Sequence, residues 1–116
     1  MADITVYHNP KCGTSRGVLE ILREGGIDVD VVEYLRTPLS EAQLRALVTA
    51  VDVEPADIVR ADSRFEELGL DKADYTTVDT VVALLLEHPE LMQRPIAVKG
   101  KQVVLARPKE KIQALL

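Results

Sequence analysis

The chain has 116 residues, enough for one domain with a substantial core and little room for a second. Its 47% hydrophobic and 28% charged residues are those of an ordinary globular protein, and a net charge of −5 argues against nucleic acid as a bulk electrostatic partner. A single cysteine excludes an internal disulfide, and one Cys with two His supplies no zinc constellation.

Ile4-Thr5-Val6-Tyr7 alternates β-favouring residues and predicts a strand. Thr14 or Ser15 is the candidate cap of a helix running through Gly17 to Arg23, which Gly25-Gly26 ends. Asp30 to Leu35 predicts a second strand, so the first third of the chain reads as a right-handed βαβ unit with a parallel pair. Ser40 then caps a periodic helix from Glu41 to about Val51, with Leu44, Leu47, Val48 and Val51 as its apolar stripe. A short irregular or helical piece over 55–70 carries Arg60. The next helix spans about Thr77 to Glu87, with Val78, Val81, Val82, Leu85 and Leu86 inward. Ile96-Ala97-Val98 and Gln102 to Leu105 flank Gly100 as a β-hairpin, and a terminal helix follows Pro108. The order βαβ, helical middle, ββα predicts an α/β fold with a thioredoxin-like mixed sheet. The middle, about 39–93, is a helical insertion between the second and third strands of a single domain covering 1–116. Arg94-Pro95 is a candidate cis bond.

The opening residues lack a basic start followed by an apolar run, and no stretch holds 18 consecutive apolar residues, so neither a signal peptide nor a membrane span is expected and the expected address is the cytoplasm.

Charge is unevenly spread. Residues 4–19 contain Lys11 and Arg16 and no acid, and residues 91–109 contain Arg94, Lys99, Lys101, Arg107 and Lys109 and no acid. These windows carry +7 and leave −12 to the rest, a pattern that points to a local anion site. Cys12 lies in the first window, between strand and helix, where backbone N–H groups and nearby cations favour a thiolate. Gly13 leaves room for an anion to approach those N–H groups. Cys12 is therefore the candidate nucleophile, and His8, when protonated, would favour the thiolate by charge as a tuner rather than a proton shuttle. Cys12-Gly13-Thr14-Ser15 has the form of a Cys-x-x-Cys redox motif with serine in second place, so a second thiol must come from elsewhere. A Cys-based phosphatase loop needs arginine six positions after the cysteine, where this chain has Val18. Arg94 at a strand entrance and Arg107 at a strand exit are candidate guanidinium forks for a tetrahedral oxyanion; Arg60 has no such local reason.

On these residues the chain resembles the ArsC-like arsenate reductases of the glutaredoxin-coupled kind, over essentially its whole length. The run His8-Asn9-Pro10-Lys11-Cys12-Gly13-Thr14-Ser15-Arg16 is the most specific match, joined by Val59-Arg60, Glu67-Leu68-Gly69-Leu70, His88-Pro89, Arg94-Pro95-Ile96 and Arg107-Pro108. The resemblance implies reduction of arsenate to arsenite through a covalent arsenate adduct on Cys12. Glutathione or another small thiol would be the co-substrate, no cofactor or metal would be bound, and a glutaredoxin-like protein would be the partner. It also implies that Arg60, Arg94 and Arg107 grip the oxyanion beside Gly13, Thr14, Ser15 and Arg16, and that His8 supports the thiolate. Three departures stand out: Asp62 beside Arg60, where relatives tend to be basic; Ala106 in place of an auxiliary cysteine; and a C-terminal end at Leu116, short of the tail some relatives carry. Two other readings compete. One is the related transcriptional regulators that bind RNA polymerase and usually carry Cys-x-x-Cys, and the other is a thiol-binding relative without arsenate activity.

Overall fold

The computed structural model describes residues 2–116. The chain divides into two compact units, one formed by the chain through Thr37 together with Arg94–Leu116, the other by Pro38–Gln93.

The first unit is a four-stranded sheet in the order β2-β1-β3-β4. β1 (Ile4–His8) runs parallel to β2 (Val29–Glu33) and antiparallel to β3 (Ile96–Lys99), which pairs antiparallel with β4 (Gln102–Leu105). The parallel pair needs a crossover, and α1 (Gly13–Glu24) supplies it. Along β1, Ile4, Val6 and His8 are buried while Thr5 and Tyr7 are less so, the alternation of a half-covered sheet. Ile4 and Val6 share a core with Val18, Leu19 and Leu22 of α1, Ala97, Val104 and Ala106, and Ile112 and Leu115 near the C-terminus. Each Val, Leu or Ile side chain among them contributes about 1.5–3 kcal/mol by leaving water, and the alanines less. Gly25 and Gly26 end α1 as expected, Gly26 at φ +69°, where a side chain would be strained. Gly100 holds the same left-handed region (φ +60°) at the tip of the β3–β4 hairpin. Both Arg94-Pro95 and Arg107-Pro108 are cis, the second beyond what the sequence reading named.

One expectation for this unit needs correction and another gains detail. α1 begins at Gly13 with Cys12 as its N-cap residue, not at Thr14 or Ser15, because Arg16 N–H already bonds the Cys12 carbonyl. The terminal helix is a 3-10 helix, Lys109–Leu115, in which Ile112 and Leu115 stack inward at a spacing of three.

The second unit is helical. α2 (Glu41–Ala50) starts at a capping box in which Ser40 and Gln43 satisfy each other's backbone N–H groups. A 3-10 turn (Pro55–Ile58), α3 (Ser63–Glu67) and a second 3-10 turn (Lys72–Asp74) lead to α4 (Val78–Glu87), which packs against α2. The stripe of α2 is buried as expected. On α4 the buried residues are Val81, Val82, Leu84 and Leu85; Val78 is only partly covered, and Leu86 is 43% exposed instead of inward. At 100° per residue Leu84 closes the arc on one side and Leu86 falls outside it on the other.

Candidate active site

The site grows from the turn between β1 and α1. Asn9 builds that turn: its side-chain oxygen accepts from Lys11 N–H (3.0 Å) and its carbonyl from Cys12 N–H (3.0 Å), an Asx turn closed on both levels. Arg16 donates from Nη1 to the Pro10 carbonyl (2.9 Å) and so straps the turn from the outside. Sequence reasoning gave Asn9 no role, although Asn-Pro is itself a turn signal.

Ser15 is fully buried in the first turn of α1 rather than capping it. Its Oγ accepts from Asn9 N–H (3.2 Å) and lies 2.6 Å from His8 Nδ1. A buried hydroxyl needs an acceptor for its own proton; His8 Nδ1 serves, which puts the ring proton on Nε2. Burial pulls the His8 pKa below its ordinary value, opposed by Glu33 and assisted by Arg23 and Arg16. Burial thus favours the neutral ring over the protonated one, and the contact that ties His8 to the turn is the one with Ser15.

Cys12 is half-buried at the end of that turn. Burial alone would raise its pKa, but the Ser15 backbone N–H and the Arg94 and Arg107 guanidiniums outweigh it and hold the thiol below its ordinary value. The Ser15 effect is that of a dipole aimed at the sulfur, since α1 has no formed side-chain cap. Its first turn also carries no acidic residue, so the positive helix end is left for an external anion.

Arg94 and Arg107 are brought together by the hairpin register, in which Ile96 pairs with Leu105 and Ala106 N–H extends the ladder to the Pro95 carbonyl. Arg107 Nη1 donates to the Arg94 carbonyl at 2.9 Å and lies 3.6 Å from Cys12 Sγ. The structure thus gathers His8, Cys12, Gly13, Thr14, Ser15, Arg16, Arg94 and Arg107 into one unit. Arg60 belongs to the other, where its Nε meets Asp62 Oδ2 at 3.3 Å and its backbone N–H bonds the Leu91 carbonyl.

This sheet order, with a cysteine as the N-cap residue of the first helix, defines a thioredoxin-like protein. The chain belongs to the ArsC family, whose profile matches residues 7–115. An arsenate reductase of Escherichia coli is 39% identical over 117 aligned positions, covering 100% of this chain and 82% of the relative. One from Rhizobium meliloti strain 1021 is 40% identical over 114 positions, with 97% and 81% covered. The solved structure of an arsenate reductase from Vibrio cholerae superposes with a TM-score of 0.88 at 33% identity, covering 99% of this chain and 98% of that one.

Proposed function

We propose that this chain reduces arsenate to arsenite with electrons from external thiols, as a single functional domain of 1–116 with its helical insertion at about 39–93. The observation that carries the reading is a half-buried cysteine of lowered pKa, with Arg107 Nη1 3.6 Å from its sulfur and an uncapped helix start beside it. The backbone N–H groups of Gly13, Thr14 and Ser15, with Arg16, Arg94 and Arg107, hold the oxyanion. For Arg60 the resemblance is the only support.

The Cys12 thiolate attacks arsenic(V), and one arsenate oxygen leaves as water after protonation, giving a sulfur–arsenic bond. The thiol of glutathione or a similar small molecule displaces a second oxygen, again as water. The thiol of a glutaredoxin-like protein then attacks the sulfur of that small molecule. The two external sulfurs leave as a disulfide, and the electron pair of the broken sulfur–arsenic bond passes to arsenic, now arsenic(III). Water releases arsenite from Cys12 and restores the thiol. The balance is one arsenate and two external thiols to one arsenite, one disulfide and water, which a chain with one cysteine requires. We place the reaction in the cytoplasm, where thiols are kept reduced.

The test is arsenite production by purified protein with glutathione and glutaredoxin. Wild type makes arsenite and Cys12→Ser stays at background. No arsenite with glutathione, mycothiol or bacillithiol systems overturns the reading.

A further inference from the structure

Beside the Cys12 turn, an open groove of about 680 Å³ runs along α1 and faces β2. Its volume falls in the range of small-molecule sites, roughly 300–1,000 Å³. His8 and Arg16 line one end, Glu20, Arg23 and Glu24 follow along the helix, and Glu33 stands across from them on β2. Arg16 belongs both to this groove and to the turn: its Nη1 holds the Pro10 carbonyl, and its Nη2 lies 3.7 Å from where a Gly13 Cβ would stand. The groove therefore opens onto the loop that carries the nucleophile.

Its charges are mixed and unspent. Among the described residues, Glu20, Arg23, Glu24 and Glu33 form no ion pair and no side-chain hydrogen bond with one another, although both signs line one groove. By contrast, the exposed Arg45, with a carboxylate in reach, pairs with Asp79 at 2.5 Å. From Arg16 to Glu24 the helix rises about 12 Å, at 1.5 Å per residue. An extended tripeptide comes near that distance, about 10 Å at about 3.5 Å per residue. The lining offers a guanidinium for a carboxylate and three carboxylates for an ammonium.

We infer that this groove is the subsite for the reducing thiol, which is a γ-glutamyl-type peptide thiol. Its zwitterionic amino-acid head lies between Arg23 and the Glu20, Glu24 and Glu33 carboxylates, and its thiol points toward the Cys12 turn. The inference rests on the proposed use of an external thiol and adds where that thiol sits and what part of it is recognised.

Two measurements test it. Amide chemical shifts of the full chain are followed during titration with S-methylglutathione, which keeps the peptide and cannot form a disulfide; perturbations are expected to cluster at 16–24 and 31–33. Arsenite production is then measured for Arg23→Glu and Glu24→Lys, with amide dispersion as the check of folding. Each is expected to raise KM for glutathione about fivefold, the upper scale of one exposed charge contact. KM for arsenate, and the rate with 2-mercaptoethanol, which has no zwitterionic head, are expected to stay the same. Shifts that cluster elsewhere, or equal losses with both thiols, overturn the subsite. If no thiol yields arsenite, the reductase reading fails while the titration still reports on the groove. If wild type is active and both variants keep the wild-type KM for glutathione, the groove inference alone falls.

Discussion

The two units start their helices in opposite ways. α2 and α4 open on capping boxes, Ser40 with Gln43 and Thr77 with Thr80, and carry Glu41 and Asp79 in their first turns. α1 opens on Cys12 with no side-chain cap and no acid. A cap is worth about 1 kcal/mol, and a first-turn carboxylate about 0.3–1 kcal/mol more. The helical unit takes that stabilisation; the sheet unit leaves its helix start open, which is what an incoming anion requires. The charged pairs follow the same division. Arg45–Asp79 and Arg64–Glu67 are exposed ion pairs, each worth little, whereas the bonds around Cys12 and Ser15 are buried or half-buried and costly to break.

The largest expected effect tests whether the oxyanion grip lies where the comparison puts it. Arg107→Ala removes a charge-assisted donor next to the sulfur, worth about 1.5–3 kcal/mol, so kcat/KM for arsenate should fall about 10- to 150-fold. Arg107→Lys should recover only part of this. A lysine keeps the charge but lacks the planar guanidinium whose Nη1 meets both the Arg94 carbonyl and the sulfur. Rates of iodoacetamide alkylation against pH supply the second readout. In wild type, reactivity should persist below the ordinary thiol pKa and fall as pH drops through the depressed value; in Arg107→Ala that fall should move to higher pH.

Next in size is Ser15→Ala, which leaves Asn9 N–H and His8 Nδ1 buried without their partner. Urea unfolding should show a loss of about 1–3 kcal/mol. The same site sets an acid sensitivity. Because burial lowers the His8 pKa, the unfolded chain binds the proton more readily than the folded one. The stability from a neutral His8 is then complete above 6.5 and lost as pH falls below that value through the folded pKa. His8→Gln should flatten that part of the stability profile.

These sites differ in how plainly the sequence announces them. The Ser40 cap, the stripe of α2, the glycine stop of α1 and the hairpin at Gly100 were legible because each is decided by residues a few positions apart. The Cys12 loop was legible for the same reason, as a basic, glycine-bearing link between strand and helix. The start of α1 was misread because Thr14 and Ser15 are favoured capping residues, and propensity knows nothing of a fully buried serine committed to His8. The approach of Arg107 to Cys12 joins residues 95 positions apart and depends on strand register, so the sequence marked Arg107 as a candidate oxyanion fork at a strand exit without fixing its contact with the sulfur. Leu86 shows the same limit: an apolar residue one step beyond the buried arc has nothing local to mark it as outward.

A smaller effect comes from closing the open helix start. Thr14→Asp places a carboxylate in the first turn of α1, as Glu41 and Asp79 stand in α2 and α4. Thermal unfolding should gain stability worth about 0.3–1 kcal/mol, while the negative charge repels both thiolate and arsenate. The expected result is a more stable protein with a higher Cys12 pKa and a higher KM for arsenate. A stabilised variant with unchanged alkylation and kinetics would show that the open start does not serve the anion.

The smallest expected effect concerns the helical unit's one claim on the chemistry. Asp62 has two jobs: its Oδ1 caps α3 by accepting from Phe65 N–H (3.2 Å), and its Oδ2 pairs with Arg60 Nε (3.3 Å). Burial opposes ionisation, but the Phe65 N–H and Arg60 hold the carboxyl below its ordinary pKa, so the pair is charged at neutral pH. Asp62→Asn separates the two jobs, because Asn caps about as well as Asp while the ion pair is lost. Its stability should stay within a few tenths of a kcal/mol of wild type, whereas Asp62→Ala should lose about 0.5–2 kcal/mol. If Arg60 serves the oxyanion, relieving it of Asp62 frees its charge for arsenate. A half-exposed pair of this kind is worth up to about 1 kcal/mol, so KM for arsenate should fall by no more than about fivefold in Asp62→Asn. Arg60→Ala should then raise KM in wild type and erase the gain in the double variant. An unchanged KM in both single variants would confine the oxyanion grip to the sheet unit and make Arg60 a partner of the α3 cap alone.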